Sequence, residues 1–349
     1  MNEKPQRDVK KYLLGGVVST ALFTALFFYG GQEIANALFR LVGTPLVKAI
    51  SPFFDADGLN SFNTYFYFIF LWIPLVLVLL VVKPWRRYLR VLGTKPRGNR
   101  PKLLVLGLGV GLLLNALCIL VAALCGNIAG FEFVAFQPLY VLVFIVIVFI
   151  QSSYEEMLYR GFAFQRIQRV YGPAVAAVAN SLFFAAGHLN NPGMGVVPFL
   201  AIVSAGILFS FAVWYFDSLW MSFGIHTGWN FCQAVLFGLP NSGIAAGFAI
   251  FKPVGEITEG FAWNSAFGIE GTIVAVIMLL ATAGIIMAWG RKHPRPCFSV
   301  FTDAVSAAQV EFPGNATGDA RVKRRVKRPV KIKAKCPASN NTIPRYLPN

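Results

Sequence analysis

Long, nearly unbroken apolar runs set the first limit on what this chain can fold into. One of them reads "LYVLVFIVIVFI" over residues 139–150. A bilayer core about 30 Å thick needs roughly 20 apolar residues per helix. Stretches of that kind cover residues 12–30, 64–82, 103–125, 138–157, 173–190, 195–216, 218–239 and 269–290. The fifth is the least apolar, since it carries Asn180 and His188. The runs are continuous and do not alternate, which sets aside a β-barrel. Of 349 residues, 56% are hydrophobic and only 13% charged, where a soluble domain has about a quarter charged. The chain reads as an all-α fold: a polytopic membrane helix bundle with about eight transmembrane helices. The first segment follows Lys10 and Lys11 but is long for a signal peptide. No small-x-small cleavage site follows it, so it reads as a retained anchor.

Lys and Arg in short loops mark the cytoplasmic side of a membrane protein. The N-terminus carries Lys4, Arg7, Lys10 and Lys11, and the loop after the second segment runs from Lys83 to Lys102 with eight basic residues. The loops after the third and fifth segments carry none, and the loop after the seventh carries only Lys252. Arg166 and Arg169 follow the fourth, and the tail after the eighth is strongly basic. Eight spans with both termini cytoplasmic fit this alternation, in a bacterial inner or plasma membrane. Three regions follow. Residues 1–137 hold three spans and a basic cytoplasmic loop, residues 138–290 form the membrane core, and residues 291–349 form a basic, disordered cytoplasmic tail.

The net charge of +16 is mostly this topology plus the tail, which reads "RVKRRVKRPVKIKAK" over residues 321–335. Its plain reading is a solvated tail, and its sharper reading is adhesion to anionic lipid. No nucleic-acid-binding signature accompanies it, so no nucleic acid is expected as partner. The five cysteines show no C-x-x-C pair and no disulfide-like spacing. The sequons at Asn315 and Asn340 fall on the cytoplasmic side and are set aside.

Ionisable groups inside apolar spans are costly and usually functional. Between Leu139 and Pro240 the only acids are Glu155, Glu156 and Asp217, and the only histidines are His188 and His226. "YGP" at 171–173 predicts a turn between two antiparallel helices, with Pro173 opening the second. Glu155 and Glu156 lie about 16 residues before this turn and His188 about 16 after it, so they are expected at one height. Glu156 and Arg160 stand one helical turn apart with the acid first, the better order for an ion pair. Glu155 is rotated by about 100° from Glu156 on a 3.6-residue helix. The arginine therefore neutralises one carboxylate and leaves the other for chemistry. "GIHTGWNF" puts His226 and Asn230 on one face, with Gly224 and Gly228 allowing a second helix to come close.

Taken singly, each residue has a plain reading. A His or Asn in a span serves as an inter-helix hydrogen-bond partner. Glu156–Arg160 serves as a structural pair, and Asp217 as a solvated cap at a loop edge. The coincidence of two Glu, one Arg, two His and one Asn in neighbouring apolar segments is what favours a site.

Together, Glu155-Glu156-x-x-x-Arg160, Phe184-x-x-x-His188 and His226-x-x-x-Asn230 resemble the motifs of the CAAX prenyl endopeptidase and bacteriocin-processing family, also called the Abi family. The resemblance covers about residues 139–239 and implies an eight-helix intramembrane endopeptidase. It implies that Glu155 and His188 activate a water, that His226 and Asn230 form the oxyanion site, and that Glu156 and Arg160 orient and support them. The residue types suit those roles. A carboxylate in a low-dielectric cavity can serve as base and then as acid, and imidazole and carboxamide N–H groups can donate to an oxyanion. A zinc ion is the one cofactor to weigh. It would need Glu155, His188 and His226, with Asn230 a poor ligand and no H-E-x-x-H present, so a metal-independent glutamate mechanism is favoured. The expected partner is a membrane-associated protein or peptide substrate. The rival readings are a proton-coupled transporter using Glu155, Glu156 and His188, against which there are no repeated halves, and a non-enzymatic scaffold or immunity protein.

Overall fold

The computed structural model describes residues 16–93, 98–245 and 247–293. The N-terminal basic residues, the basic tail and its sequons lie outside this set. Helix α1 runs without a break over Val17–Phe53 and α2 over Ala56–Val81. A 3₁₀ segment at Lys83–Leu92 leads to α3, Pro101–Leu124. Strand β1, Ile128–Phe133, precedes α4, Pro138–Glu156, which passes through a π-helical stretch at Met157–Phe164 into α5, Gln165–Ala186. Next come α6 (Val196–Phe216), α7 (Leu219–Asn230), β2 (Phe251–Ile257) and α8 (Ile273–Lys292).

Helix starts follow ordinary rules. Asp55 caps α2 by accepting the Gly58 N–H at 2.7 Å, Ser218 caps α7 and Thr272 caps α8. Pro101 and Pro138 open α3 and α4, where a missing N–H costs nothing. The predicted turn at 171–173 is present. Gly172 takes φ 81°, a left-handed conformation that breaks α5 into two helical arms. Gly224 and Gly228 of α7 meet Gly107 and Gly111 of α3. A Cβ on any of the four would run into the opposite backbone, so the two helices touch main chain to main chain.

Among the described residues, six helices are long and apolar enough to cross a membrane, and the bundle is that of a multi-pass membrane protein. The expected count of about eight differs for two reasons. The expected fourth and fifth segments count once, as the run Pro138–Ala186, although Gly172 breaks that run into two arms. The expected seventh, α7, carries Ser222, His226, Thr227 and Asn230, and every residue except Trp220 is buried. A helix packed all round by protein need not be apolar enough for lipid. The first segment, expected over 12–30, extends to Phe53. Gly30 and Gly31 hold helical dihedrals, and the chain continues as a second half bearing Gln32, Glu33, Arg40 and Lys48.

The antiparallel pair β1–β2 was not expected. It aligns Phe133 with Phe251 and Glu132 with Lys252, and a bulge interrupts it between Ile128 and Gly130. Asp217 is also corrected. It does end α6, in the left-handed conformation at φ 51°, but it is only 5% exposed and its carbonyl accepts the Gly98 N–H at 2.9 Å. The cap is built into the protein, not solvated.

Candidate active site

Glu156 ends the regular part of α4 and is fully buried. Its Oε1 accepts from Arg160 Nη1 at 2.9 Å, Ser222 Oγ donates to its other oxygen, and His226 Nδ1 lies 3.1 Å from Oε1. The Glu156–Arg160 pair expected from spacing is therefore present. It sits where the helix passes from i→i+4 to i→i+5 bonding, a departure often found at functional sites. Arg160 is itself fully buried, with Nε and Nη2 lacking hydrogen-bond partners. Its guanidinium lies instead over two rings, 4.5 Å from Phe184 and 5.0 Å from Phe209. A cation desolvated against aromatic faces regains part of its lost hydration this way.

Glu155 faces the other way. It lines a cavity of about 340 Å³ together with His188, His226 and Asn230. Its Oε2 lies 3.6 Å from His226 Nε2, and its Oε1 accepts from Gln151 Nε2 at 2.8 Å. His226 thus stands between the two glutamates, one nitrogen toward each, and stacks on Phe209 with ring centroids 4.9 Å apart. Asn230 donates from Nδ2 to Gln151 Oε1 at 2.9 Å. As α4 gives way to π-helix after Glu156, so α7 does after Asn230, and Phe231–Leu236 is π-helical.

His188 lies in the turn just past the end of α5, not within a span as expected. Its Nδ1 is 2.8 Å from the Phe184 carbonyl. Because a carbonyl only accepts, Nδ1 carries the proton, and on the neutral ring Nε2 is a bare acceptor. Phe184 packs edge-on against the imidazole, ring centroids 4.8 Å apart. His188 and Glu155 share the cavity but make no direct bond. Asn180 is a helix-helix partner, bonded to Ser210 Oγ at 3.0 Å and to carbonyls of its own helix.

Gln151, Ser222 and Glu270 are among the polar residues on or beside this cavity that escaped the sequence reading. Gln151 and Ser222 stand one helical turn before Glu155 and His226, and that spacing was the available signal. Glu270 was the second residue of the expected eighth segment, 269–290, but stood apart from the acids and histidines clustered within 139–240. In the structure it lies outside the spans, immediately before α8, and is 6% exposed. It accepts from the Ser242 N–H and Oγ–H and, at 3.1 Å, from Trp229 Nε1. Burial pushes its carboxyl above the usual glutamate range. The Ser242 carbonyl in turn accepts from Asn191 Nδ2 at 2.7 Å, and Asn191 N–H bonds the His188 carbonyl at 2.9 Å. A chain of hydrogen bonds therefore runs from Trp229, beside Asn230, through Glu270 and Ser242 to the His188 turn.

Among the described residues no three His, Cys, Asp or Glu side chains converge closely enough to hold a metal. Glu155, His188 and His226 line one cavity but do not form a ligand set as they stand, so no step is routed through zinc. Of the cysteines, Cys118 and Cys232 are buried and Cys125 is exposed, all as free thiols.

Glu155, His188, His226 and Asn230 thus line one cavity inside a helical membrane bundle, with Glu156 and Arg160 buried beside it. Residues 137–232 match the family model described as Type II CAAX prenyl endopeptidase Rce1-like. The matched segment carries all six motif residues, Glu155, Glu156, Arg160, His188, His226 and Asn230. Comparison with curated proteins and with solved structures gives no match.

Proposed function

We propose that this protein is an intramembrane endopeptidase that hydrolyses a peptide bond of a membrane-associated substrate, of CAAX or leader-peptide type, with water activated by Glu155. The unequal treatment of two adjacent carboxylates carries the reading. Glu156 is saturated by Arg160, Ser222 and His226, whereas Glu155 reaches the cavity with one oxygen held by Gln151. Glu155 takes a proton from water as the water oxygen attacks the scissile carbonyl carbon. The Nε2 lone pair of His188 helps to hold that water. Negative charge gathers on the carbonyl oxygen, and Asn230 Nδ2–H and His226 Nε2–H donate to it. With Nδ1–H directed at Glu156, His226 donates from Nε2 as the imidazolium. As the C–N bond breaks, Glu155 returns its proton to the leaving amine. One carboxylic acid and one amine result, and the acid's remaining proton passes to the amine, giving carboxylate and ammonium. Glu156 and Arg160 hold His226 and the helix in place. The bilayer is the protein's other partner, and the basic tail would add contacts to anionic lipid.

The test is peptide cleavage by purified protein in detergent, with a membrane-tethered library of C-terminal peptides. Loss of a general base costs about 10²- to 10⁴-fold, and Glu155→Gln is expected to lose that much in kcat while melting like wild type. Retained turnover in Glu155→Gln would move the base elsewhere. A chelator-treated wild-type sample is expected to keep its activity, and loss there would bring a metal into the site.

A further inference from the structure

Among the described residues, Gln151 is the one bonded both to the proposed base, Glu155, and to Asn230, one of the two proposed oxyanion donors. It is 7% exposed and lines the cavity. Its Nε2 donates to Glu155 Oε1 at 2.8 Å, and its Oε1 accepts from Asn230 Nδ2 at 2.9 Å and from Ser152 Oγ at 3.1 Å. A carboxamide has a donor end and an acceptor end, and a carboxylate only accepts. The charge on Glu155 therefore fixes which end of Gln151 faces it. The other end, the carbonyl, then faces Asn230, and only a donor satisfies it there. Asn230 must turn its nitrogen, not its oxygen, toward the Glu155 side of the cavity. One N–H of that nitrogen is spent on Gln151, and the second is left for a substrate oxygen.

We propose that Gln151 is a positioning residue that transmits the charge of Glu155 to Asn230, so that the oxyanion donor is correctly oriented when the base is ready to accept a proton. This deepens the peptidase reading and rests on it.

Two variants separate this role from packing. Gln151→Met keeps length and bulk but has neither donor nor acceptor. It is expected to lower kcat by about 10²-fold, the cost of a misplaced group, with KM and melting temperature near wild type. Gln151→Glu keeps the acceptor toward Asn230 but sets a second acid against Glu155. Two facing carboxylates repel, whereas a protonated side chain can again donate. Its activity is expected to be low at neutral pH and to recover relative to wild type as pH falls. Other titratable groups around Glu155 are His226 on α7, Tyr65 on α2, and Tyr154, Glu156, Tyr159 and Arg160 on its own helix, with His188 and Glu270 across the cavity. All are common to wild type and variant, so the ratio of the two pH profiles isolates position 151. Unchanged kcat in Gln151→Met, or parallel pH profiles for Gln151→Glu, would overturn the proposal.

A measurement without turnover keeps it distinct from the peptidase reading. In ¹⁵N-labelled protein, the side-chain amide signals of Asn230 are assigned with Asn230→Ala and compared between wild type and Glu155→Gln. Glu155→Gln supplies a side chain that can donate, so Gln151 is released and the Asn230 signals are expected to move. Unmoved signals overturn the relay whether or not any peptide is cleaved. Moved signals with no cleavage by wild type leave the relay standing and defeat the peptidase reading.

Discussion

On one side of the cavity, Glu155, His226 and Asn230 stand on α4 and α7, with Glu156 buried beside them on α4. On the other, Glu270 stands in a single 3₁₀ turn, Ile269–Gly271, and Ser242 and Asn191 stand in a turn and a bend, all outside the α-helices. The helical side balances charge with charge, through the fully buried Glu156–Arg160 pair and His226 between two carboxylates. The turn side holds a carboxyl with neutral donors alone, two from Ser242 and one from Trp229. A regular helix repeats its geometry, so a residue four places on is already in position to pair. A turn has no repeat, and its partners must be brought from far away in the chain. The two sides should therefore fail differently when one member is removed.

The largest effect is expected at Arg160. Arg160→Ala leaves Glu156 buried with its full charge and only Ser222 and His226 to meet it. Removing one partner of a buried ion pair typically costs about 3–5 kcal/mol. Two aromatic faces, Phe184 and Phe209, also lose the guanidinium they pack on. Unfolding free energy in mixed micelles should fall by that amount, and Arg160→Lys should restore only part of it, because an ammonium does not stack as a planar guanidinium does. A loss under about 1 kcal/mol would mean that the helical side does not depend on paired charge.

The same contrast explains what could be read from the sequence. Glu155, Glu156, Arg160, His188, His226 and Asn230 were legible because each is polar where its neighbours are apolar, and helical spacing then assigned faces. The hairpin at "YGP" was legible from Gly172 and Pro173. Gly224 and Gly228 foretold a close helix contact, though not that Gly107 and Gly111 would supply the other half. Gln151 and Ser222 carried the same four-residue signal, but a neutral side chain in a span stands out less than a charged one. Glu270 was hidden for a different reason. It sits at the edge of the expected eighth segment, 269–290, where a charged residue is ordinary, and its partners lie 28 and 41 residues away in the chain. The β1–β2 pair was hidden likewise, since pairing Phe133 with Phe251 depends on how the intervening helices fold. The extension of α1 to Phe53 ran against its glycines and polar residues. Tyr140 of α4 helps to fix where it ends, bonding the Phe53 carbonyl at 3.1 Å and the Asp55 N–H at 3.0 Å.

On the turn side, Glu270→Gln should produce a smaller loss with its own signature. One of the two amide ends can no longer accept from Ser242 or Trp229, at a cost of about 1–3 kcal/mol for an imperfectly paired buried group. Its pH dependence follows from linkage. Burial raises the folded-state value above the unfolded one. Between the two values the folded protein holds a proton that the unfolded chain has released. Stability attributable to Glu270 is therefore full below the unfolded value and falls as pH rises through the folded one. Melting temperatures of wild type and Glu270→Gln, compared across that window, should converge as pH rises. If their difference is independent of pH, the carboxyl is not held above its usual range, and the turn side balances charge after all.

The weakest expected effect lies on the outer surface of the turn side. Lys252 Nζ of β2 meets Asp57 Oδ2 at the start of α2 at 2.7 Å, with side chains 38% and 60% exposed. Its geometry is as short as that of Glu156–Arg160, so distance alone would rank the two pairs together. Solvent decides otherwise. Water around an exposed pair screens the attraction, and two long side chains lose freedom in making it. Lys252→Ala is expected to change unfolding free energy by no more than about 0.5 kcal/mol, and raising the salt concentration should leave wild type and variant equally stable. A loss of about 3 kcal/mol or more, the size expected of a buried pair, would mean that the β1–β2 cap depends on this contact. The turn side would then be held by a charge pair at its rim, and its difference from the helical side would be one of place, not of kind.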